Sequence, residues 1–225
     1  MRSFLLRLYG AFTTLAQPLV RRKLRRRAVA EPGYAHAVEE RFGHYDDAAN
    51  GTGWCWIHAV SLGEARAAGI LIEELRRQYP DIPILLTNGT ATGREEGAKL
   101  LQPGDLQVWQ PWDAPEPVAR FLDRFRPRIG VLMETEVWPN LAAACQARAI
   151  PLVLANARLS EKSLAQARRL ARLSRPAYGA LRAAWAQTES DARRLAQAGA
   201  TVKGVFGNLK FDAQPDPVLL AQNRD

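Results

Sequence analysis

Trp54-Cys55-Trp56-Ile57-His58-Ala59-Val60-Ser61-Leu62-Gly63-Glu64 is the stretch whose reading decides the fold. Its apolar run over 54–60 is too short for a core helix and reads as a buried strand. Ser61 to Gly63 read as a tight turn, and the alanine-rich continuation Ala65-Arg66-Ala67-Ala68 reads as a helix. In open α/β sheets, ligands bind outside the carboxyl ends of the strands. Glu64 therefore sits where a general base is useful, near a helix N-terminus that favours a negative charge. The same acid also reads as an ordinary cap of a first helical turn.

The rhythm repeats outward from this unit. A helix is expected to 79 and ends at Pro80. A strand over 82–86 runs into Thr87-Asn88-Gly89-Thr90-Ala91-Thr92-Gly93-Arg94 and a helix to 101. Strands follow over 106–109, 129–133, 150–154, 184–187 and 202–206. Helices are expected over 115–125, 141–148, a long region to 181, and one ending near Gly199. Many short apolar strands alternating with helices specify a doubly wound, Rossmann-like α/β domain with a parallel sheet covered on both sides. The expected domain spans 31–212. Residues 31–50 read as a short helix and a linker, and 213–225 as a second linker.

Composition narrows the function. The chain has 225 residues, 47% hydrophobic, with 31 Lys and Arg against 23 Asp and Glu. Eight of the basic residues (Arg2, Arg7, Arg21, Arg22, Lys23, Arg25, Arg26 and Arg27) lie in the first 30, which carry no acid. The rest of the chain is formally neutral. A broad nucleic-acid-binding face is thus disfavoured and a basic N-terminal device is indicated. In residues 3–20 Leu5, Leu8, Tyr9, Phe12, Leu15, Ala16 and Leu19 share one helical face, opposite Ser3, Arg7, Gly10, Thr14 and Gln17. With the arginines that follow, residues 1–30 read as an interfacial amphipathic helix and polybasic anchor for anionic lipids. A single membrane span and a helix docked on the body are the alternatives. Cys55 and Cys145 read as buried thiols, and no metal-ligand spacing occurs.

Each strand ends in a polar loop on one sheet edge, so Glu64, the Thr90 loop, Glu134, Glu136, Arg158, Ser160 and Asn208 are expected to converge. Glu134 and Glu136 are two residues apart and point to opposite sides if the strand conformation persists. Glu134 is the choice for the crevice, and Glu136 for the amides of the turn before Trp138-Pro139. Both equally suit capping of the next helix. Thr90, Thr92 and Gly93 suit an anion at a helix N-terminus, or a polar capping turn. No Walker lysine and no G-x-G-x-x-G is present, which disfavours a nucleoside triphosphatase or a dinucleotide oxidoreductase. Arg158 has the planar fork to clamp a phosphate or carboxylate, or to pair with Glu161. His58 reads as a core histidine.

Four collinear segments, Trp56 to Glu64, Glu134-Thr135-Glu136-Val137-Trp138-Pro139-Asn140, Asn156-Ala157-Arg158-Leu159-Ser160 and Gly207-Asn208-Leu209-Lys210-Phe211-Asp212, together resemble the Kdo (3-deoxy-D-manno-octulosonic acid) transferases of lipopolysaccharide synthesis. The resemblance implies a GT-B glycosyltransferase of which this chain is the N-terminal, acceptor-binding half, with the donor-binding domain beyond 225. It implies inverting transfer of Kdo from CMP-Kdo to a lipid A precursor at the cytoplasmic face of the inner membrane, with the sugar nucleotide as substrate and no cofactor. Glu64 matches the base and Glu134 a second essential acid. Ser61, Gly63, Glu136, Arg158, Asn208 and Lys210 fall in the matching motifs as substrate-binding candidates. The acceptor's phosphates are expected at the loop 87–93 and at basic residues near the N-terminal helix. The alternative is a non-catalytic, membrane-associated module that binds anionic lipid.

Overall fold

The computed structural model describes residues 4–45 and 52–209. Seven parallel strands form one sheet: β1 (Cys55–His58), β2 (Ile84–Asn88), β3 (Leu106–Trp109), β4 (Ile129–Met133), β5 (Leu152–Ala157), β6 (Ala183–Ala186) and β7 (Val202–Val205). Their order is β3-β2-β1-β4-β5-β6-β7. The chain winds outward from β1 to β3, returns to place β4 against the other side of β1, and then winds the opposite way. The point of reversal lies between β1 and β4, whose registers pair Cys55 with Ile129 and His58 with Leu132. A crevice opens at such a point because the flanking connections leave in opposite directions.

The central strands β1, β2 and β4 are buried over nearly their whole length, as parallel strands between helix layers are, whereas the edge strands β3 and β7 are only partly covered. On one face Trp56, Leu85, Phe121, Phe125 and Leu132 form the larger core, and Trp56 meets the Phe121 ring edge-on at 5.0 Å. The helices α5 (Pro115–Phe125), α6 (Pro139–Ala147), α8 (Ala171–Gly179) and α9 (Glu189–Ala198) contribute to it. On the other face Ile57, Ile84, Leu86 and Met133 pack with Ala68 and Ile72 of α3 (Leu62–Gln78). Each large side chain buried in this way contributes about 1.5–3 kcal/mol. Farther along that face, Leu71, Leu75, Val131, Val153, Trp185 and Phe206 line an open apolar groove. The helical layer expected on both faces is therefore fuller on the first.

Several boundaries differ from the sequence reading. The helix after β1 begins at Leu62, not Ala65, because the Ser61 side chain caps it. The fifth strand starts and ends later than expected, at Leu152–Ala157. The long helix expected up to 181 is two, α7 (Glu161–Arg169) and α8, with Leu170 outside helical geometry between them. The short helix expected after Glu31 is a pair of 3-10 turns, Pro32–Ala35 and Val38–Phe42. The linker readings at 46–50 and 213–225 lie outside the described residues.

The N-terminal segment forms α1 (Phe4–Leu15) and α2 (Gln17–Ala30), divided at Ala16 with Pro18 in the first turn of α2. Both dock on the body. The Tyr9 hydroxyl donates to Asp113 Oδ2 (3.0 Å), and Trp112 Nε1 donates to the Thr13 carbonyl (2.7 Å). Gly10 lies so close to Pro115 that an added Cβ would stand 2.8 Å from its ring. In α2, Leu24 is buried with Tyr34 and Phe42, and Arg21 pairs with Glu39. Thus the small, polar side of α1 faces the protein. Its apolar stripe continues into α2 and faces outward, with Phe12, Leu15 and Leu19 69–80% exposed. No described helix is long and apolar enough to cross a membrane.

Candidate functional site

Glu64 stands in the first turn of α3, where Ser61 is the N-cap. Its Oε2 accepts from the Val60 amide (3.0 Å) and its Oε1 from the Ser61 hydroxyl (3.0 Å), while the Glu64 amide donates back to Ser61 Oγ at 3.4 Å. This reciprocal arrangement is a capping box, shifted by one residue at the amide. The capping reading of Glu64 is therefore visible, but it does not exhaust the carboxylate. Glu64 is 8% exposed, and burial pushes its pKa above the usual carboxylate range; the Val60 and Ser61 bonds oppose that rise, and the negative Glu134 adds to it. A buried acid raised in this way, at the reversal point of the sheet, is a candidate for a role beyond the helix end.

Directly across that point, β4 delivers Glu134 and Glu136. The alternation expected from strand geometry stops here, because Glu134 has φ of 55°. A glutamate in the left-handed region costs of order 1 kcal/mol or more and persists only when its surroundings hold it. Three bonds do so. The Glu134 amide donates to the Ala155 carbonyl (3.0 Å), the Arg158 amide donates to the Glu134 carbonyl (3.2 Å), and Arg158 Nε pairs with Glu134 Oε2 (2.7 Å). Among the described residues Arg158 thus pairs with Glu134 and not with Glu161, which instead binds Arg194. Glu136, beyond this turn, lies near enough to both other acids for their charges to act on it. Burial, then the charge of Glu64, lifts the Glu136 pKa to about 7, opposed by Trp138 and Thr135 and aided by Glu134. All three glutamates therefore share one electrostatic neighbourhood, not two of them.

The loop after β2 lies against the same turn. Thr90 Oγ1 receives the Gly93 amide (3.1 Å), capping α4 (Ala91–Ala98), and bonds the Val60 carbonyl at 3.0 Å. Gly89 and Thr90 amides also donate to that carbonyl. The capping alternative thus accounts for much of this loop's hydrogen bonding. A Cβ at Gly93 would stand 2.6 Å from the Val60 carbonyl oxygen, so glycine is required for α4 to approach the turn that carries Glu64. Thr92 is exposed beside it. Ser160 is an exposed cap of α7, bonded to Ser163. Asn208 lies next to Leu209, whose amide reaches Asn156 Oδ1 (3.2 Å) at the end of β5. Gly63 is half-buried in the first turn of α3, and Lys210 lies outside the described residues.

Sequence reasoning missed three groups at this edge. Asp113 is 4% exposed and accepts from the Asn140 and Leu141 amides (3.1 and 2.8 Å) as well as Tyr9; burial nevertheless raises its pKa to about 6. Arg41 is buried against Trp109, its guanidinium 3.8 Å from the ring centroid. Gln110 borders a cavity with Arg41 and Glu136. The only sequence signal for them is position: Gln110 and Asp113 follow a strand on the ligand-bearing edge, whereas Arg41 comes from a segment that precedes the sheet.

Residues 36–213 match the family described as 3-deoxy-D-manno-octulosonic-acid transferase (kdotransferase). The chain belongs to this family. It is 49% identical over 170 residues to the 3-deoxy-D-manno-octulosonic acid transferase of Bordetella pertussis, covering 73% of the chain and 39% of that relative. The protein of the same name from Haemophilus influenzae is 31% identical over 220 residues, covering 94% of the chain and 50% of the relative. A probable mitochondrial 3-deoxy-D-manno-octulosonic acid transferase of Arabidopsis thaliana is 38% identical over 160 residues, covering 71% and 36%. The chain therefore spans half or less of the length of these Kdo transferases, which are glycosyltransferases by name. The family match contains Glu64, Glu134, Glu136 and Arg158 and begins after α2.

Proposed function

We propose that this chain is the acceptor-binding half of an inverting GT-B glycosyltransferase, which moves Kdo from CMP-Kdo to a lipid A precursor in lipopolysaccharide assembly. The observation that supports the reading is that the charges of Glu134 on Glu64, and of Glu64 and Glu134 on Glu136, act across the reversal between β1 and β4, in a chain of the Kdo transferase family. A second domain beyond this chain would hold CMP-Kdo. In the transfer, an acceptor sugar hydroxyl oxygen forms the new bond to the anomeric carbon. The bond from that carbon to the CMP phosphate oxygen breaks, and CMP leaves with the electron pair. Glu64 takes the hydroxyl proton. Like charges in one cleft push pKa values apart. Glu136, half protonated near neutrality, limits the negative charge beside Glu64, while the Arg158 pair fixes Glu134 to orient the acceptor. Ser61, Gly63, Thr90, Thr92, Gly93 and Asn208 border the acceptor's path in this reading, and Lys210 is a substrate-binding candidate from its motif alone.

The N-terminal unit of residues 1–30 anchors the domain on anionic lipid of the inner membrane, at its cytoplasmic face. The outward stripe of Phe12, Leu15 and Leu19 beside exposed Arg22, Arg25 and Arg26 supports interfacial binding. That same stripe favours the second reading, an anionic-lipid-binding module without catalysis. The deciding experiment assays a protein carrying this chain at the full length of its relatives, with CMP-Kdo and a lipid A precursor. Glu64→Gln and Glu64→Ala are expected to lower turnover by about 10²–10⁴-fold, the usual contribution of a general base. Near-normal turnover in both, with the fold intact, would remove Glu64 from the chemistry.

A further inference from the structure

Arg41 is a buried cation without a carboxylate partner. Among the described residues its side chain makes one hydrogen bond, from Nη2 to the Gly89 carbonyl (3.0 Å), and stacks on Trp109. The neighbouring acid, Glu40, is paired with Arg94 at 2.9 Å. The Arg41 Nε is buried with no acceptor among the described residues. Burial lowers the Arg41 pKa to about 10, which is still charged at neutrality. A buried charge is costly unless something pairs with it. Among the described residues no carboxylate pairs with Arg41, Glu40 acting on it only as a neighbouring charge, and Arg41 borders a cavity of about 320 Å³ between α2 and the carboxyl ends of β1 to β3. That volume is at the lower end of small-ligand sites.

The cavity is polarised. Lys23 and Arg27 of α2 join Arg41 on its wall, and Arg27 donates to the Tyr34 hydroxyl at 3.2 Å. The floor is made by His58, which is 1% exposed. His58 Nδ1 lies 3.1 Å from the Thr87 carbonyl oxygen and 2.9 Å from Thr87 Oγ1. A carbonyl only accepts, so Nδ1 carries the proton and donates. Burial holds the ring neutral, with its pKa lowered to about 3. Nε2 is then a bare lone pair, buried and without a partner among the described residues, and His58 lines the cavity. Gln110, another lining residue, has a second buried acceptor, Oε1, without a partner among the described residues. Asp113 and Glu136 also line the cavity, Asp113 being held by the Asn140 and Leu141 amides and Tyr9. Three cations on one wall call for an anion, and unfilled acceptors in the same lining call for hydroxyl or amino donors.

We propose that this cavity is a phosphosugar subsite, in which Arg41, Lys23 and Arg27 hold a phosphate monoester while His58 Nε2 and Gln110 Oε1 accept hydrogen bonds from the hydroxyl or amino groups of the sugar. Its assignment to a phosphate of the lipid acceptor rests on the function proposed above; the anion chemistry of the cavity stands without it. Glu136 lines the subsite, so a sugar seated there by its phosphate contacts one member of the glutamate cluster. Because α2 supplies two of the cations, the same segment that carries the outward apolar stripe also closes the binding site.

The test uses calorimetric titration of the 225-residue chain with glucosamine 1-phosphate, with glucosamine, and with a lipid A precursor in detergent micelles before and after removal of its phosphates. The sugar phosphate is expected to bind at least tenfold more tightly than glucosamine. Arg41→Gln should abolish that difference. Arg41 is packed in the core, so the double variant Lys23→Gln/Arg27→Gln, at two exposed positions, accompanies it; a tenfold loss is expected, with the melting midpoint lowered by no more than about 4 °C for the lost Arg27–Tyr34 bond. Equal binding of glucosamine and its phosphate, or phosphate binding indifferent to the exposed double variant, overturns the subsite. The micelle arm separates the two readings. Phosphate-dependent, Arg41-dependent binding of the small sugar without binding of the precursor keeps the subsite and removes the lipid acceptor. Precursor binding that ignores both its phosphates and these substitutions keeps the acceptor and overturns the subsite.

Discussion

Gly93→Ala is the substitution on which the packing of the site turns. An alanine Cβ there would stand 2.6 Å from the Val60 carbonyl oxygen, 2.9 Å from Thr90 Oγ1 and 3.0 Å from the Ser61 carbonyl carbon. Two of those three neighbours are backbone atoms of the turn that caps α3 and carries Glu64. They cannot rotate away as a side chain would, so α4 and the turn must separate. Overpacking of this kind costs about 1–3 kcal/mol. Alanine regains about 0.5–1 kcal/mol of helix preference over glycine, leaving a net loss of roughly 1–2 kcal/mol. For a chain of this size that lowers the melting midpoint by about 2–8 °C. Gly179→Ala is the control, because the nearest atom to its added Cβ is 3.8 Å away. It should be neutral or slightly stabilising. Urea and thermal unfolding of the two variants beside the parent chain measure the difference. If Gly93→Ala melts no lower than Gly179→Ala, the close approach of α4 to Val60 does not constrain this fold.

Other substitutions probe separate parts of the molecule. Glu136 is raised from 4.5 to about 7, so the fold binds its proton more tightly than the unfolded chain does. Its contribution favours folding below about pH 4.5 and is lost as pH rises to about 7. Glu136→Gln should flatten that part of the stability profile and raise stability at pH 8, by up to about 3 kcal/mol if the neighbours stay in place; a parallel profile in urea titrations from pH 4 to 8 would contradict this. Asp113→Ala leaves the Asn140 and Leu141 amides without their acceptor and should cost about 2–4 kcal/mol. Tyr9→Phe, which removes one hydrogen bond to the same carboxylate, should cost about 1 kcal/mol or less. Charged replacements on the outward stripe, Phe12→Asp with Leu15→Asp, should leave the melting midpoint within about 2 °C and reduce co-sedimentation with anionic vesicles more than tenfold. Retained vesicle binding would argue against that face as the membrane contact.

The sheet was legible because each strand is a short apolar run bounded by turn residues, and 106–109 and 129–133 are observed with the expected ends. Boundaries slipped where a side chain made the decision. Ser61 starts α3 three residues early by capping it, which periodicity in the following alanines does not announce. Leu170 interrupts a helix whose apolar spacing continues through it. At the site, the order of the loops along the edge follows from βα alternation, so Glu64 and Glu134 were readable as neighbours once β1 and β4 were adjacent strands. The orientation of Glu136 was not readable, since period-two reasoning fails when the intervening backbone turns left-handed at Glu134. Arg41 was the least accessible of all. Its importance arises from an ion pair it does not make, and Glu40 beside it in sequence supplies an apparent partner that the fold gives to Arg94.

That exchange of partners also bears on how the halves of the site depend on one another. Arg94 lies in α4, Glu40 in the turn before β1, and Glu40 Oε2 additionally accepts the Trp109 amide at 2.8 Å. One carboxylate thus ties the N-terminal turn, α4 and β3 together while leaving Arg41 uncompensated beneath α2. Glu40→Gln keeps an oxygen for the Trp109 amide and removes the charge. It should lower stability by about 1–3 kcal/mol through the loss of a half-buried pair, and it should leave Arg41 stacked on Trp109. If Arg41 instead needed Glu40 as its counter-charge, Glu40→Gln would change anion binding at Arg41 as much as Arg41→Gln does. Titration of glucosamine 1-phosphate into Glu40→Gln distinguishes the two, with affinity within about threefold of the parent chain expected if the anion pairs with Arg41 directly.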